Sequence, residues 1–241
     1  VLLLVYQQML PGKASERQRL EVDTARRFDE LNVPITWIEL EAVTGPPQAL
    51  FFDRASSFEE LDRAGAVLGN TFATHPELAQ QQQQIEERLA SSRTVVALRR
   101  DELSFGLERL DLTKARYLRI TVVSLRPGRE RDFAEVENSR HAATTRADGD
   151  SAGAVYEVNA GLEQPTFLMV EPLRSLQDVD KGIEIQRRAQ LGVDEGDRKR
   201  LDNIAREAYL SVESNLFVIH PEMSHVSREF AAGDAGYWVR K

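Results

Sequence analysis

The chain has 241 residues, 41% of them hydrophobic and 29% charged, with a net charge of −8 and no cysteine. This balance is that of an ordinary folded chain, and it excludes disulfides, thiolate metal sites and cysteine nucleophiles. No basic stripe is available to neutralise the phosphates of a nucleic acid, and no apolar run approaches the ~20 residues of a membrane-spanning helix.

Val1 to Gln8 reads as a strand, broken by Pro11-Gly12. An exported protein that has lost a signal peptide and a trimmed cytosolic one fit a start at Val1 equally. Ser15 to Leu31 carries Leu20, Ala25, Phe28 and Leu31 at helical spacing. Ile35 to Val43 alternates as a half-buried strand, with Trp37, Glu39 and Glu41 on one side and Ile38 and Leu40 on the other. After the turn Thr44-Gly45-Pro46-Pro47 comes a strand at Ala49 to Asp53. Ser57 with Glu60 and Thr74 with Glu77 read as capping boxes. They open one helix to Leu68 and a second to about Ala90, the latter carrying the run Gln80 to Gln84 on a solvated face. Thr94 to Arg99 is the fourth strand.

The pattern then returns. Leu10-Pro11-Gly12-Lys13 reappears as Arg126-Pro127-Gly128-Arg129, 116 residues on, and the blocks from Pro47 and Ser57 reappear from Pro165 and Ser175, 118 residues on. Strands are expected near Tyr117–Leu125, Ala154–Asn159, Thr166–Glu171 and Asn215–His220, and helices near Arg129–Arg146, Ser175–Arg188 and Asp197–Ser211. Each copy thus reads β-α-β-β-α-β. Residues 1–100 form the first copy, 101–116 a linker, 117–222 the second copy, and 223–241 a tail strapped across the other copy. The uniformly apolar Leu118, Ile120 and Val122, with Leu2, Leu4 and Tyr6, are expected under the helices. The mixed sides, with Leu3, Val5, Gln7 and Arg119, are expected to line a cavity.

This doubled order resembles the dimeric α+β-barrel superfamily of ferredoxin-like folds, which holds the antibiotic-biosynthesis-monooxygenase, NIPSNAP and EthD-like groups. The resemblance implies an α+β chain of two tandem ferredoxin-like βαββαβ repeats whose antiparallel sheets face each other as an α+β barrel. That would be a fused pseudo-dimer, alone or as a homodimer, with a small-molecule ligand in the barrel and neither nucleic acid nor membrane as partner. Members include cofactor-independent oxygenases, haem enzymes, isomerases and proteins with no known activity, so the fold alone does not select a reaction.

On the expected cavity face Glu39 and Glu157 are equivalent carboxylates that desolvation could turn into general bases. The alternative is a plain ion pair with Arg119 or Arg99. Arg119 could clamp an anionic ligand, Trp37 could stack on a ring, and Asn159 completes the row. His220 is the candidate for a base or a haem ligand. His141 is expected in solvent, and His75 and His225 lack partners at metal-ligand spacing. No metal site and no resident cofactor is expected, with haem as the alternative. Neither a glycine-rich phosphate loop nor a G-x-S-x-G elbow occurs. The functions expected are a small-molecule-binding barrel, with a non-catalytic binding or assembly protein whose barrel is filled with side chains, a cofactor-independent monooxygenase of phenolic or polyketide-like compounds, and a haem protein as the alternatives.

Overall fold

The computed structural model describes residues 1–147 and 151–238. In chain order the elements are β1 (Leu2–Met9), α1 (Ala14–Leu31), β2 (Ile38–Ala42), β3 (Gln48–Arg54), α2 (Phe58–Thr74), α3 (Pro76–Glu86) and β4 (Leu89–Arg99). Three single-turn 3-10 helices follow, and then β5 (Tyr117–Leu125), α4 (Glu130–Ala147), β6 (Ala154–Ala160), β7 (Thr166–Leu173), α5 (Gln177–Leu191), α6 (Glu195–Ala208) and β8 (Tyr209–Ile219). The tail adds α7 (Arg228–Ala232) and α8 (Ala235–Trp238). The eight strands hydrogen-bond in the closed antiparallel order β1-β3-β2-β8-β5-β7-β6-β4. No helix among the described residues is long and apolar enough to cross a membrane.

Two compact units result: Val1–Val96 with Phe217 onward, and Ala97–Leu216. In the first, β3 pairs with β1 and β2, and β2 takes Phe217–Ile219 of β8 on its other edge. Its helix-side core is Phe28, Val33 and Leu78, packed by Trp37, Val67, Leu68 and Phe72. In the second, β7 pairs with β5 and β6. Its core is Leu103, Val123, Leu125, Phe133, Val155, Phe167 and Met169.

The corners from β1 to α1 and from β5 to α4 are Pro-Gly turns, with Gly12 at φ 75° and Gly128 at φ 83°. A side chain would strain the backbone there, which is why the corner reads alike at both places. The cap at Ser57 forms, its hydroxyl accepting from Glu60 N at 3.2 Å, but the Glu60 carboxylate turns back to Ser56 rather than Ser57. Thr74 caps nothing: it is the last residue of α2, and its hydroxyl donates to Asn70 O at 2.8 Å.

The strand faces are the reverse of the expectation. Trp37, Glu39, Phe51 and Gln7 lie on the side that meets the helices, since Trp37 packs edge-on to Phe28 of α1 at 5.1 Å and Arg17 of α1 bonds Gln7. In the second unit Val123 and Phe167 likewise pack with Phe133 of α4. The uniformly apolar sides, with Leu2, Leu4, Leu40 and Leu50, or Leu118, Ile120, Leu168 and Val170, face the other way and are buried. A helix can cover a polar strand face when it brings the partners for it, and α1 does.

The tail docks on the first unit. His225 and Trp37 exchange backbone hydrogen bonds at 3.0 and 2.7 Å, and the Trp37 indole donates to Met223 O at 2.8 Å. The His225 ring sits between the Asp29 carboxylate and Val33 O. Replacing His225 with alanine removes both ring contacts, the one to the Asp29 carboxylate and the one to Val33 O, which keeps only its bond from Ile35 N. The expected cost is about 1–3 kcal/mol. It should read as a lower denaturant midpoint and as tryptic cleavage after the exposed Arg228 before global unfolding. An unchanged midpoint with no early cleavage would show that the ring does not hold the tail.

Candidate functional site

The inward stripe of α1 is Arg17, Glu21, Thr24, Ala25 and Phe28, the spacing of a helix face packed on a sheet. Its first two members are charged and meet the charged row of β2. Arg17, 0% exposed, places Nη2 2.7 Å from Glu39 Oε1 and 3.1 Å from Glu21 Oε1. Its Nε and Nη2 also donate to Gln7 Oε1, at 3.1 and 2.8 Å. Glu41 accepts from Gln18 at 2.7 Å, lies 3.9 Å from Arg17 Nη1, and is 3.4 Å from Nε2 of His220. The His220 Nδ1 meets Glu222 at 2.9 Å. A polar run thus leads from Glu39, itself 0% exposed, through Arg17 and Glu41 to a histidine that is 22% exposed.

The electrostatics follow from three carboxylates around one guanidinium. Burial pushes Glu39 well above the usual carboxylate range; Glu21 beside it adds to the rise, and Arg17 opposes it. Glu21 is pushed up to about 7, by burial against the pull of Arg17. Burial works against the charge of Arg17, yet Glu39 and Glu21 hold its pKa above the ordinary value. Burial also works against protonated His220, but Glu222 and Glu41 raise it. Glu21 is thereby poised to exchange a proton near neutrality. Both oxygens of Glu39, Oε1 of Glu41 and Nη1 of Arg17 lack a well-aligned hydrogen bond. Under-satisfied buried groups of this kind are costly to stability.

The remaining candidates are placed differently from expectation. Glu157 pairs with Arg100, not with Arg119. Arg119 pairs at 3.0 Å with Glu171, directly opposite it across β5 and β7. Arg99 pairs with Asp101. Asn159 is exposed near the end of β6, its carbonyl accepting from Gln164. Trp37 is held by Phe28, His225 and Phe51 within the core rather than facing the acid cluster. His141 is not in solvent: its side chain is 11% exposed. Of the residues singled out in the sequence, Glu39 and His220 come together, joined by Glu41 and by a backbone bond from His220 N to Glu39 O at 2.9 Å. Arg17 and Glu21 are invisible to a count of apolar residues along α1. Extending the stripe from Phe28 and Ala25 back by one and two turns would have found them.

Nδ1 of His220 meets Glu222 and Nε2 lies 3.4 Å from Glu41, so a haem held through Nε2 would have to displace the Glu41 contact. Among the described residues no three His, Asp or Glu side chains converge on a metal site. Grooves among the described residues open on the first unit. One, about 510 Å³, is lined by residues that include Leu31, Val33, Val67, Asn70 and His75; another, about 390 Å³, lies between α1 and α3. Neither is lined by the acid cluster.

No protein-family model and no curated protein matches the chain. Solved structures do. An anthrone oxidase-like protein superposes with a TM-score of 0.57 at 17% identity, covering 91% of this chain and 90% of its own. A "putative monooxygenase" from Lactobacillus acidophilus gives a TM-score of 0.52 at 8% identity, covering 90% and 92%. A mutant chlorite dismutase from Candidatus Nitrospira defluvii gives 0.51 at 12% identity, covering 92% of each chain. What this chain shares with them is the fold, a closed eight-stranded antiparallel barrel with helices.

Proposed function

We propose that this protein is a small-molecule-binding α+β barrel, and that the acid cluster of its first unit does proton chemistry on the bound molecule. One observation carries the reading: Glu21 and Glu39 share a single buried guanidinium, with Glu21 poised at about 7. A general base works best with a pKa near the working pH. The proton enters at the solvent-facing end, from the substrate to His220 and Glu41, and the ionised member of the Glu21–Glu39 pair is its sink.

The reaction class we favour is cofactor-independent oxygenation of a phenolic or polyketide-like compound. Removing a proton from an activated methylene gives a carbanion that reduces dioxygen. One oxygen atom ends in the new carbonyl, the other leaves as water, and the methylene supplies the four electrons. The anthrone oxidase-like and monooxygenase neighbours support this choice of class.

We also read the chain as a doubled ferredoxin-like unit. The order β-α-β-β-α-α-β occurs twice, and the buried helix carboxylates Glu21 and Glu137 stand 116 residues apart, the same shift as the Pro-Gly corners. We expect oxygen uptake on addition of an anthrone, and a fall of roughly 10²-fold in that rate with Glu39→Gln, the usual scale for a lost general base. Native mass spectrometry after incubation with the anthrone should show a bound adduct on the 27.2 kDa chain. Oxygen uptake that Glu39→Gln leaves unchanged would remove the cluster from the reaction. A chain that neither binds nor consumes the anthrone would remove the oxygenase reading.

A further inference from the structure

The second unit holds a buried pair that the function proposed above does not use. Glu137 and His141 lie one turn apart on α4, both directed inward. Glu137 is fully buried. Its Oε1 is taken, accepting from the Tyr209 hydroxyl at 3.1 Å and lying 3.3 Å from Nη1 of Arg140. Its Oε2 has no hydrogen-bond partner, and neither has Nε2 of His141. The two atoms face each other 3.8 Å apart, too far to bond directly. Burial holds His141 down to about 4, helped by Arg140, so the ring is neutral at pH 7, while burial raises Glu137.

A separation of 3.8 Å suits one inserted oxygen at ordinary hydrogen-bond distance, ~2.7–2.9 Å, from each atom. With one proton between Nε2 and Oε2, the pair offers one donor and one acceptor, the complement of a hydroxyl group. The surroundings are aromatic. Tyr209 lies 6.0 Å from Phe133, which stacks on Phe167 at 4.3 Å. The Phe105 ring covers the imidazole at 4.3 Å.

Phe105 comes from the segment of short turns before β5. That segment is tied to the sheet there by the Phe105–Gly153 bridge, with backbone bonds of 3.0 and 2.9 Å, and by Val155 N donating to Ser104 Oγ at 2.9 Å. The ring rests on bare backbone: a Cβ at Gly153 would come within 2.7 Å of it.

We propose that Glu137 and His141 form a site for a small phenol, and that Phe105 is a built-in plug occupying the place of the phenol's ring. The bound hydroxyl bridges Oε2 and Nε2, and the aromatic ring replaces Phe105 over the imidazole. Tyr209 and Arg140 position Glu137 by fixing its other oxygen. The site lies wholly within the second unit and is independent of the acid cluster of the first.

The test is titration of phenol and of toluene, the same shape without the hydroxyl, into wild type and Phe105→Ala. The readout is the ring-nitrogen resonances of ¹⁵N-histidine-labelled protein. In Phe105→Ala we expect phenol to shift the His141 Nε2 signal and to bind at least ~10-fold more tightly than toluene, the worth of one buried hydrogen bond. Wild type should bind phenol more weakly, because the plug must leave first. His141→Phe in the Phe105→Ala background should abolish the preference. Should Phe105→Ala not fold, Phe105→Leu takes its place. Equal affinity for phenol and toluene would mean that the variant is an empty apolar hole. Phenol binding that leaves the His141 signal unmoved would put the ligand elsewhere. Either result overturns the proposal while leaving the oxygen-uptake result untouched.

Discussion

Replacing Arg17 with alanine should destabilise the protein by ~3–5 kcal/mol, the range for removing one partner of a buried ion pair. The cause is not the loss of an attraction alone. Arg17 is the guanidinium that both Glu21 and Glu39 contact, and it also satisfies Gln7. Without it, carboxylates with no access to water must either stay ionised and unpaired or take up protons. Denaturant unfolding at pH 7 measures the cost, and a loss below ~1 kcal/mol would show that water reaches the cluster and replaces the guanidinium. The combined replacement Arg17→Met, Glu21→Leu, Glu39→Leu should behave in the opposite sense. Exchanging a buried ionic group for packed apolar side chains is commonly neutral or stabilising by ~1–4 kcal/mol. A folded triple variant without activity would separate what the cluster does for chemistry from what it does for the fold.

Stability should also fall as pH rises through the weakly acidic range, and Glu21 should be responsible for much of that fall. Its carboxyl is held at about 7 in the folded chain against 4.5 as the ordinary value. A raised acid binds its proton more tightly in the folded state than in the unfolded one. Its contribution is therefore complete below about pH 4.5, declines above that, and is gone once pH passes about 7. At about 1.4 kcal/mol for each pH unit, the decline is on the order of 3 kcal/mol. Glu39, raised in the same direction, carries the trend further. Thermal midpoints of wild type and Glu21→Gln between pH 4.5 and 8 are the measurement. The variant should show the shallower dependence, and parallel curves would mean that Glu21 titrates normally.

Much of the architecture was legible because it is written in local signals that occur twice. Pro-Gly at residues 11–12 and 127–128 marks two equal corners, and alternation at Ile38–Glu41 marks a strand. The errors also recur at matching places. The sequence pattern carries the helices α3 and α6 on to about Ala90 and Ser211, past their ends at Glu86 and Ala208 and into the starts of β4 and β8. Both strand starts, Ala90–Thr94 and Leu210–Ser214, are exposed on consecutive residues. With neither side buried there is no period of two to read. The reversal of the sheet faces has a different origin. Sequence reading assigns the greasier side of a strand to the helix, but charged partners on a helix are invisible to that rule. Alternation along β2 and the match to Glu157 single out Glu39; Arg17 is one charge among many on α1.

The division of β4 and β8 between the two units has a consequence for how the chain is made. β2 needs Phe217–Ile219 as neighbour, and those residues leave the ribosome roughly 160 positions after β3. At ~5–20 residues per second that is a wait of roughly 10–30 s, during which the backbone of Leu40, Glu41 and Ala42 has an open flank. A nascent strand in that condition invites pairing with another chain. Chaperone shelter during synthesis, rather than any weakness of the finished protein, would then govern its yield.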